Sequence, residues 1–392
     1  MPIPMPIPLR GFTQAEFEGR TAGAQAMMRE LEIDAMLLTT EPNVRYFTGF
    51  FTQFWQSPTR PWFLVVPLEG KPIAVIPTIG VVGMEETWID DVRSWSSPQP
   101  GDDGISLLTE TLASLPKQFN RLGVSLAEET YLRMPQQDYQ RLALNLNSCE
   151  IVDCGLLLLK LCSVKSAAEI EKIKYVCELT SDSFNALPGF AEVGNSERDI
   201  VTKMRIDLMQ RGADHTPYIV SASGYDGYYN IIMGPTDRVI NTGDLLIIDT
   251  GTLYDGYFCD FDRNYAFGHA SDNCKRAYET VFKSTDAGFA AARPGATTTD
   301  IWRAMWTILE AGGAEGNDVG RMGHGLGAQL TEWPSNTETD HSVLEPGMVM
   351  TLEPGMSYDG GKQMVHEENI VITEDGAIML SKRAAAELPI VT

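Results

Sequence analysis

Residues 244–266 constrain the fold most: Asp-Leu-Leu-Ile-Ile-Asp-Thr-Gly-Thr-Leu-Tyr-Asp-Gly-Tyr-Phe-Cys-Asp-Phe-Asp-Arg-Asn-Tyr-Ala. Asp255-Gly256 is a strong two-residue hairpin signal, because both residue types tolerate positive φ. A turn there sets Asp249 opposite Asp262, with Asp260 two residues along on the same side of the pleat. Three carboxylates then share one face of a sheet, where they repel each other unless a cation neutralises them. A solvated acidic hairpin is the alternative in a chain with 53 acidic and 30 basic residues. The apolar run Leu245–Ile248 leads straight into Asp249 and favours a buried strand.

The pattern recurs downstream. Val349–Glu353 and Met364–Thr373 read as strands around the turn signal Asp359-Gly360-Gly361. Centred on Gly360, that hairpin pairs Glu353 with Glu367 and sends Glu368 to the opposite face. There are five histidines. His324 stands in Gly323-His-Gly-Leu-Gly327, where glycines allow tight turning and close approach. His215 and His366 adjoin strands that can border a site, whereas His269 and His341 read as loop residues.

Prolines at 2, 4, 6 and 8 block helix and ladder pairing, so residues 1–12 are expected to form an extended arm. Residues 13–161 alternate helical stretches (Glu16–Leu31, near Ser106–Leu115) with strands (Ala35–Thr39, Phe63–Pro67, Ile73–Pro77, Arg121–Ser125), a small α/β domain. Ser166-Ala-Ala-Glu169 is a capping box that opens a second domain, 162–392. Helical stretches 167–187, 195–211, 272–291 and 298–312, with hairpins grouped at 216–268, make this half α+β. The net charge of −23 disfavours nucleic acid and anionic membrane surfaces as partners. The densest apolar stretch, Leu156–Cys162, contains Lys160 and is far short of the ~20 residues that span a bilayer. The N-terminus lacks the pattern of an export signal, so a cytoplasmic protein with reduced thiols is expected.

The set Asp249, Asp260, His324, Glu353 and Glu367 lies within Asp-Thr-Gly, Gly-His-Gly-x-Gly, Leu-Glu-Pro-Gly and Glu-Glu-Asn-Ile-Val-Ile-Thr. In type, order and approximate spacing it resembles the five metal ligands of the "pita-bread" family of Xaa-Pro aminopeptidases, prolidases, methionine aminopeptidases and creatinase. The resemblance implies a C-terminal pita-bread fold preceded by a smaller creatinase/prolidase-type α/β domain, the latter echoed in Asn43-Val-Arg-Tyr-Phe-Thr-Gly49. It implies two divalent metal ions, and the hard oxygen-rich set suits Mn, Fe, Co or Zn. It further implies Asp249 on one ion, Asp260 and Glu367 bridging, and His324 and Glu353 completing the other, with Glu353 as proton shuttle. The chemistry expected is attack of a metal-bridging hydroxide on an amide-type C–N bond of a small carboxylate-bearing substrate.

Departures from the peptidase pattern shape the expected activity. Peptidase members carry a second histidine where Thr331 stands, another near Asn230-Ile-Ile232, and an arginine where Val365 stands. Ordinary Xaa-Pro cleavage is therefore expected to be weak, although a genuine Xaa-Pro dipeptidase is one alternative. Glu332-Trp333-Pro334 after His324 resembles the metal-dependent dimethylsulfoniopropionate lyase branch, so a C–S lyase is another alternative. Tyr225, Tyr228, Tyr229, Asp262 and Glu332 are its candidate bases. A catalytically dead binding scaffold is the third alternative, disfavoured by the intact ligand set. Tyr228, Tyr229, Thr331 and Glu332 are expected near substrate. So is the stiff aromatic loop Phe54–Trp62, through Arg60, Trp55 and Trp62. Creatinase-like relatives imply a homodimer in which this loop completes the partner's active site.

Overall fold

The computed structural model describes residues 6–146, 148–316 and 320–392, and the chain divides into two compact units, Leu9–Cys162 and Ser163–Thr392 with the N-terminal Met1–Pro8. Residues 1–5 of the expected arm lie outside the described residues. Residues 6–12 carry no helix or strand, and the Pro8 carbonyl accepts a hydrogen bond from the Tyr254 hydroxyl at 2.7 Å.

The unit Leu9–Cys162 is built on a six-stranded mixed sheet. Its spatial order is Asp91–Trp95, Ile73–Pro77, Phe63–Pro67, Ala35–Leu38, Arg121–Val124, Glu150–Asp153. Three of the four inner strands, Ile73–Pro77, Phe63–Pro67 and Ala35–Leu38, are buried at every position because both sheet faces are covered. Met36, Leu38, Leu64 and Val66 enter one core with Phe47 and Trp62; Ala35, Leu37, Phe63 and Val65 enter the other with Leu108 and Leu142.

In the larger unit, four long helices cover the sheets: Ala167–Ala186, Glu197–Arg211, Asp272–Ala291 and Thr298–Ala311. Capping boxes start three of them, at Ser166/Glu169, Ser196/Asp199 and Thr297/Asp300. One sheet orders Ile390–Val391, Phe261–Phe267, Asp244–Tyr254 and His215–Tyr225, with Tyr257–Phe258 extending the central hairpin. The other orders Glu332–Ser335, His324–Gly325, Val349–Leu352, Glu368–Thr373 and Gly376–Met379. Among the described residues no helix is long and apolar enough to cross a membrane.

Both acidic hairpins have the register that their turns dictate. Asp255 and Gly256 adopt φ of 46° and 77°, and Asp249 pairs with Asp262 across the ladder. Asp359, Gly360 and Gly361 also have positive φ. The second hairpin is not continuous, however. It consists of two ladders, Leu352 opposite Glu368 and Gly355 opposite Val365, with Glu353-Pro354 and His366-Glu367 in the gap between them. Pro354 has no N–H to donate, which accounts for the break and leaves both acids free of ladder geometry.

Candidate metal centre

The broken strands converge on a buried acidic cluster. Metal-binding atoms of Asp260, His324 and Glu367 lie within 4.8 Å of one another, and these residues are 4%, 4% and 2% exposed. Asp249 and Glu353 are half-buried and lie close enough to Asp260 and Glu367 for their charges to repel. Burial pushes the Asp249 carboxyl up to about 7. Burial, and then repulsion from Asp249, pushes Glu353 up to about 8. Asp260 and Glu367 are driven well above the carboxylate range by burial and then by neighbouring carboxylates.

Oxygens that the protein leaves unsatisfied mark the site as a cation receptor. Asp249 Oδ1, Asp260 Oδ1, Asp262 Oδ1 and Glu367 Oε1 are buried without a hydrogen-bond partner. Such atoms are strongly unfavourable unless a ligand meets them. His324 Nε2 sits 3.5 Å from Asp260 Oδ2. Its Nδ1 is 2.8 Å from the Gly325 carbonyl, which can only accept, so Nδ1 holds the proton and Nε2 presents its lone pair. Burial, reinforced by Arg321, depresses the His324 imidazole to about 4 and keeps it neutral, as a metal ligand requires. Four carboxylates and one neutral imidazole therefore fit a pair of hard or borderline divalent ions.

The surrounding residues fix these donors. Asn369 accepts from the Asp260 N–H at 2.9 Å and donates back to the Asp260 carbonyl, clamping that residue from both sides. The His324 N–H donates to Thr351 Oγ1 at 3.1 Å. Gly323 (φ 116°) permits this approach: a Cβ there would lie 2.2 Å from the Thr351 carbonyl. Glu368 points away from the cluster and accepts from Arg263 at 3.0 Å, Arg383 at 3.2 Å and the Ala384 N–H at 2.9 Å. His366 is fully buried behind Glu367, with Nε2 2.9 Å from Arg383 Nη1.

Three neighbours were not legible in the sequence pattern. Tyr218 lies close to Asp249 and partly offsets the rise of its carboxyl pKa. Its strand shifts register between His215 and Tyr218, across Pro217, and such a bulge re-aims the side chain. Arg321 is half-buried, partly opposes the upward shifts of Asp260 and Glu353, and donates to Thr331 Oγ1 at 3.3 Å. The one signal for it was a basic residue three positions before His324. Asn369 is the third.

Several residues expected near substrate have other places. Tyr228 is instead a core residue, 1% exposed, with its hydroxyl donating to Asn264 at 2.9 Å and accepting from the Val365 N–H at 3.1 Å. Tyr225 and Tyr229 are exposed, as is Ile232, while Val365 is buried. Glu332 is not a free base: it is 6% exposed, paired with Lys165 at 2.7 Å, and accepts from the Gln329 N–H at 3.0 Å. Removing one partner of such a pair leaves an uncompensated buried charge. Lys165→Met is accordingly expected to destabilise the protein by about 3–5 kcal/mol, and Lys165→Met/Glu332→Leu to recover most of it. Urea unfolding of both variants checks this; equal losses would contradict it.

In the smaller unit Trp62 is 1% exposed and packs against Trp55 and Phe50, so it too is a core residue rather than a rim one. Trp55 is likewise buried, beneath the Arg133 guanidinium at 5.2 Å. Arg60 is half-buried at φ 56°, with its guanidinium 5.4 Å from the Phe54 ring. Arg133 fixes this loop by donating to the carbonyls of Phe54, Trp55, Ser57, Thr59 and Arg60.

The profile of metallopeptidase family M24 matches residues 171–374, and that of the creatinase/prolidase N-terminal domain matches residues 20–163. An uncharacterized peptidase of Staphylococcus aureus is 28% identical over 351 residues, 89% of this chain and 95% of the relative. The uncharacterized peptidase YqhT of Bacillus subtilis is 29% identical over 349 residues, 88% and 93% of the two chains. Dipeptidase PepE from Mycobacterium ulcerans has a TM-score of 0.84 at 25% identity, covering 97% of this chain and 99% of its own. A prolidase from Thermococcus sibiricus has a TM-score of 0.85 at 23% identity, covering 97% and 100%, a likeness of fold alone. The matches span both units and take in Asp249, Asp260, His324, Glu353 and Glu367, and the chain belongs to metallopeptidase family M24 as a metal-dependent hydrolase with a creatinase/prolidase N-terminal domain.

Proposed function

We propose that the chain is a two-metal hydrolase of an amide-type C–N bond in a small carboxylate-bearing substrate, working as a cytoplasmic homodimer. The observation that carries this reading is the buried cluster of Asp260, His324 and Glu367, flanked by Asp249 and Glu353, with carboxylate oxygens left without partners. Two divalent ions (Mn, Fe, Co or Zn) held by these five residues supply Lewis acidity, which acidifies water and polarises a substrate carbonyl. Glu353 is half-buried and the most water-accessible of the acids alongside Asp249, so it is the residue to carry a proton to the leaving amine. Arg321 and Thr331 stand together beside the cluster and offer hydrogen-bond donors to a substrate anion.

Two candidate bases for elimination are committed elsewhere, Tyr228 in the core and Glu332 on Lys165, which favours hydrolysis over C–S cleavage. Xaa-Pro peptides are expected to be poor substrates, because Thr331, Ile232 and Val365 stand where peptidases carry proton-handling and substrate-binding groups. General acid–base assistance is worth ~10²–10⁴-fold, so kcat/KM should fall below that of a prolidase assayed alongside by about that factor. The test is a panel of Xaa-Pro dipeptides, other dipeptides, creatine-like compounds and sulfonium or betaine acids, with products identified. Prolidase-like turnover of an Xaa-Pro dipeptide would overturn the expected deficit, and release of an alkene from a sulfonium acid would assign elimination.

The dimer reading gives Arg60 a place in the partner's pocket, and Arg133 supports it by fixing the loop backbone at Thr59 and Arg60 before substrate arrives. Inactive Arg60→Ala chains mixed with inactive Asp260→Ala chains should regain part of the activity, since one site in each heterodimer is intact. Failure to complement, in a sample shown to exchange subunits, would remove Arg60 from the partner's site.

A further inference from the structure

Asp262 bears the same physical marks as the metal donors. It is 2% exposed, and its Oδ1 has no hydrogen-bond partner. It lies directly across the ladder from Asp249, so the two side chains share a face, and it follows Asp260 by two residues at the start of the strand Phe261–Phe267.

The charge of the adjacent Arg263 offsets Asp262 in part, but its N–H groups are directed elsewhere. Nη1 donates to the backbone carbonyls of Asp262 at 2.6 Å and Glu367 at 3.0 Å. Its Nη2 donates to Glu368 Oε2 at 3.0 Å and to the Lys382 carbonyl at 2.6 Å. The Tyr228 hydroxyl, which lies close enough to feel its charge, is committed to Asn264. The acids Asp249, Glu353 and Glu368 also surround it. A carboxylate so placed is strongly unfavourable in an ordinary core, and a bound cation removes the penalty.

We propose that Asp262 is a sixth donor to the metal pair, an anionic oxygen that takes one of the ions beside Asp249. The proposal rests on the metal-pair reading above and deepens it. Four carboxylates balance two divalent ions; a fifth leaves the loaded centre with one net negative charge. Such a centre binds cations more tightly and turns away an anionic substrate group, which places carboxylate recognition at Arg321 rather than on the ions.

The test is Mn²⁺ titration of the full chain after chelation, by calorimetry, with electron paramagnetic resonance of the loaded protein. In Asp262→Asn and Asp262→Thr one of the two ions should bind at least about tenfold more weakly. The signal of an exchange-coupled pair should give way to that of isolated Mn²⁺. The metal-free variants should melt no lower than the metal-free parent, because an unpartnered buried carboxylate has been removed. Parent-like affinity for both ions in either variant overturns the proposal, as does a lower metal-free melting temperature with unchanged affinity, which assigns Asp262 a structural role. A parent chain that binds no Mn²⁺ fails at the metal-pair reading itself, before any variant is compared.

Discussion

Asp260→Asn is expected to abolish binding of the metal pair and to lower turnover by about 10³-fold or more, while leaving the metal-free protein as stable as its parent or more so. The two effects have one cause. Asp260 is 4% exposed, its backbone is clamped by Asn369, and its carboxylate lies between His324 and the other acids. Loss of a residue that merely orients a ligand already costs about 10–100-fold in metal affinity, and a carboxylate shared by two ions should cost more. Without metal the same carboxylate is repelled by Asp249 and Glu353. An amide of the same shape removes that repulsion. Metal content and melting temperature of the chelated variant check the prediction. A variant that keeps two ions, or whose metal-free form is markedly destabilised, would show that Asp260 is structural.

Removing the metal is expected to reverse the direction of the protein's pH dependence. In the metal-free chain burial raises Asp249 from 3.8 to about 7 and, with repulsion from Asp249, Glu353 from 4.5 to about 8; Asp260 and Glu367 are raised as well. For acids raised by folding, the native state holds protons that the unfolded chain has released. Their contribution to stability is therefore complete below about pH 4 and is lost as the pH rises through 7 to 8. Bound ions compete with those protons for the same oxygens, so stabilisation by metal grows over the same interval. Melting curves at pH 5 and pH 8, in chelator and in Mn²⁺, should show the chelated protein weaker at pH 8 and the metal-induced increment larger there. Asp249→Asn with Glu353→Gln should flatten the chelated profile. A chelated protein that is more stable at pH 8 than at pH 5 would contradict the assignment of these acids.

The parts of the site that were legible in the sequence are those governed by local chemistry. Asp-Gly and Asp-Gly-Gly select hairpin turns, and turn position sets register, so the Asp249–Asp262 pairing follows from residue types alone. The same logic aligned Glu353 with Glu367 and put Glu368 on the far side, where Arg263 and Arg383 receive it. What escaped depends on distant segments. The gap between two ladders at Glu353-Pro354 resembles one continuous strand until the partner ladder is seen. Tyr218 reaches Asp249 through a bulge, and Asn369 clamps Asp260 from 109 residues away. Aromatic residues misled for a related reason. Tyr228 and Trp62 follow Gly and Pro in turn-like sequence, yet each fills a core volume that only the assembled unit defines. The Arg133 side chain, which gathers the carbonyls of 54–60, leaves no local pattern at all.

The central claim, a metal pair held by Asp249, Asp260, His324, Glu353 and Glu367, is tested most directly by anomalous scattering from crystals grown in Mn²⁺. Two anomalous peaks about 3.5–4 Å apart, within bonding distance of all five side chains and of Asp262, are the result predicted. No peak at these residues, or peaks elsewhere in the molecule only, would contradict it.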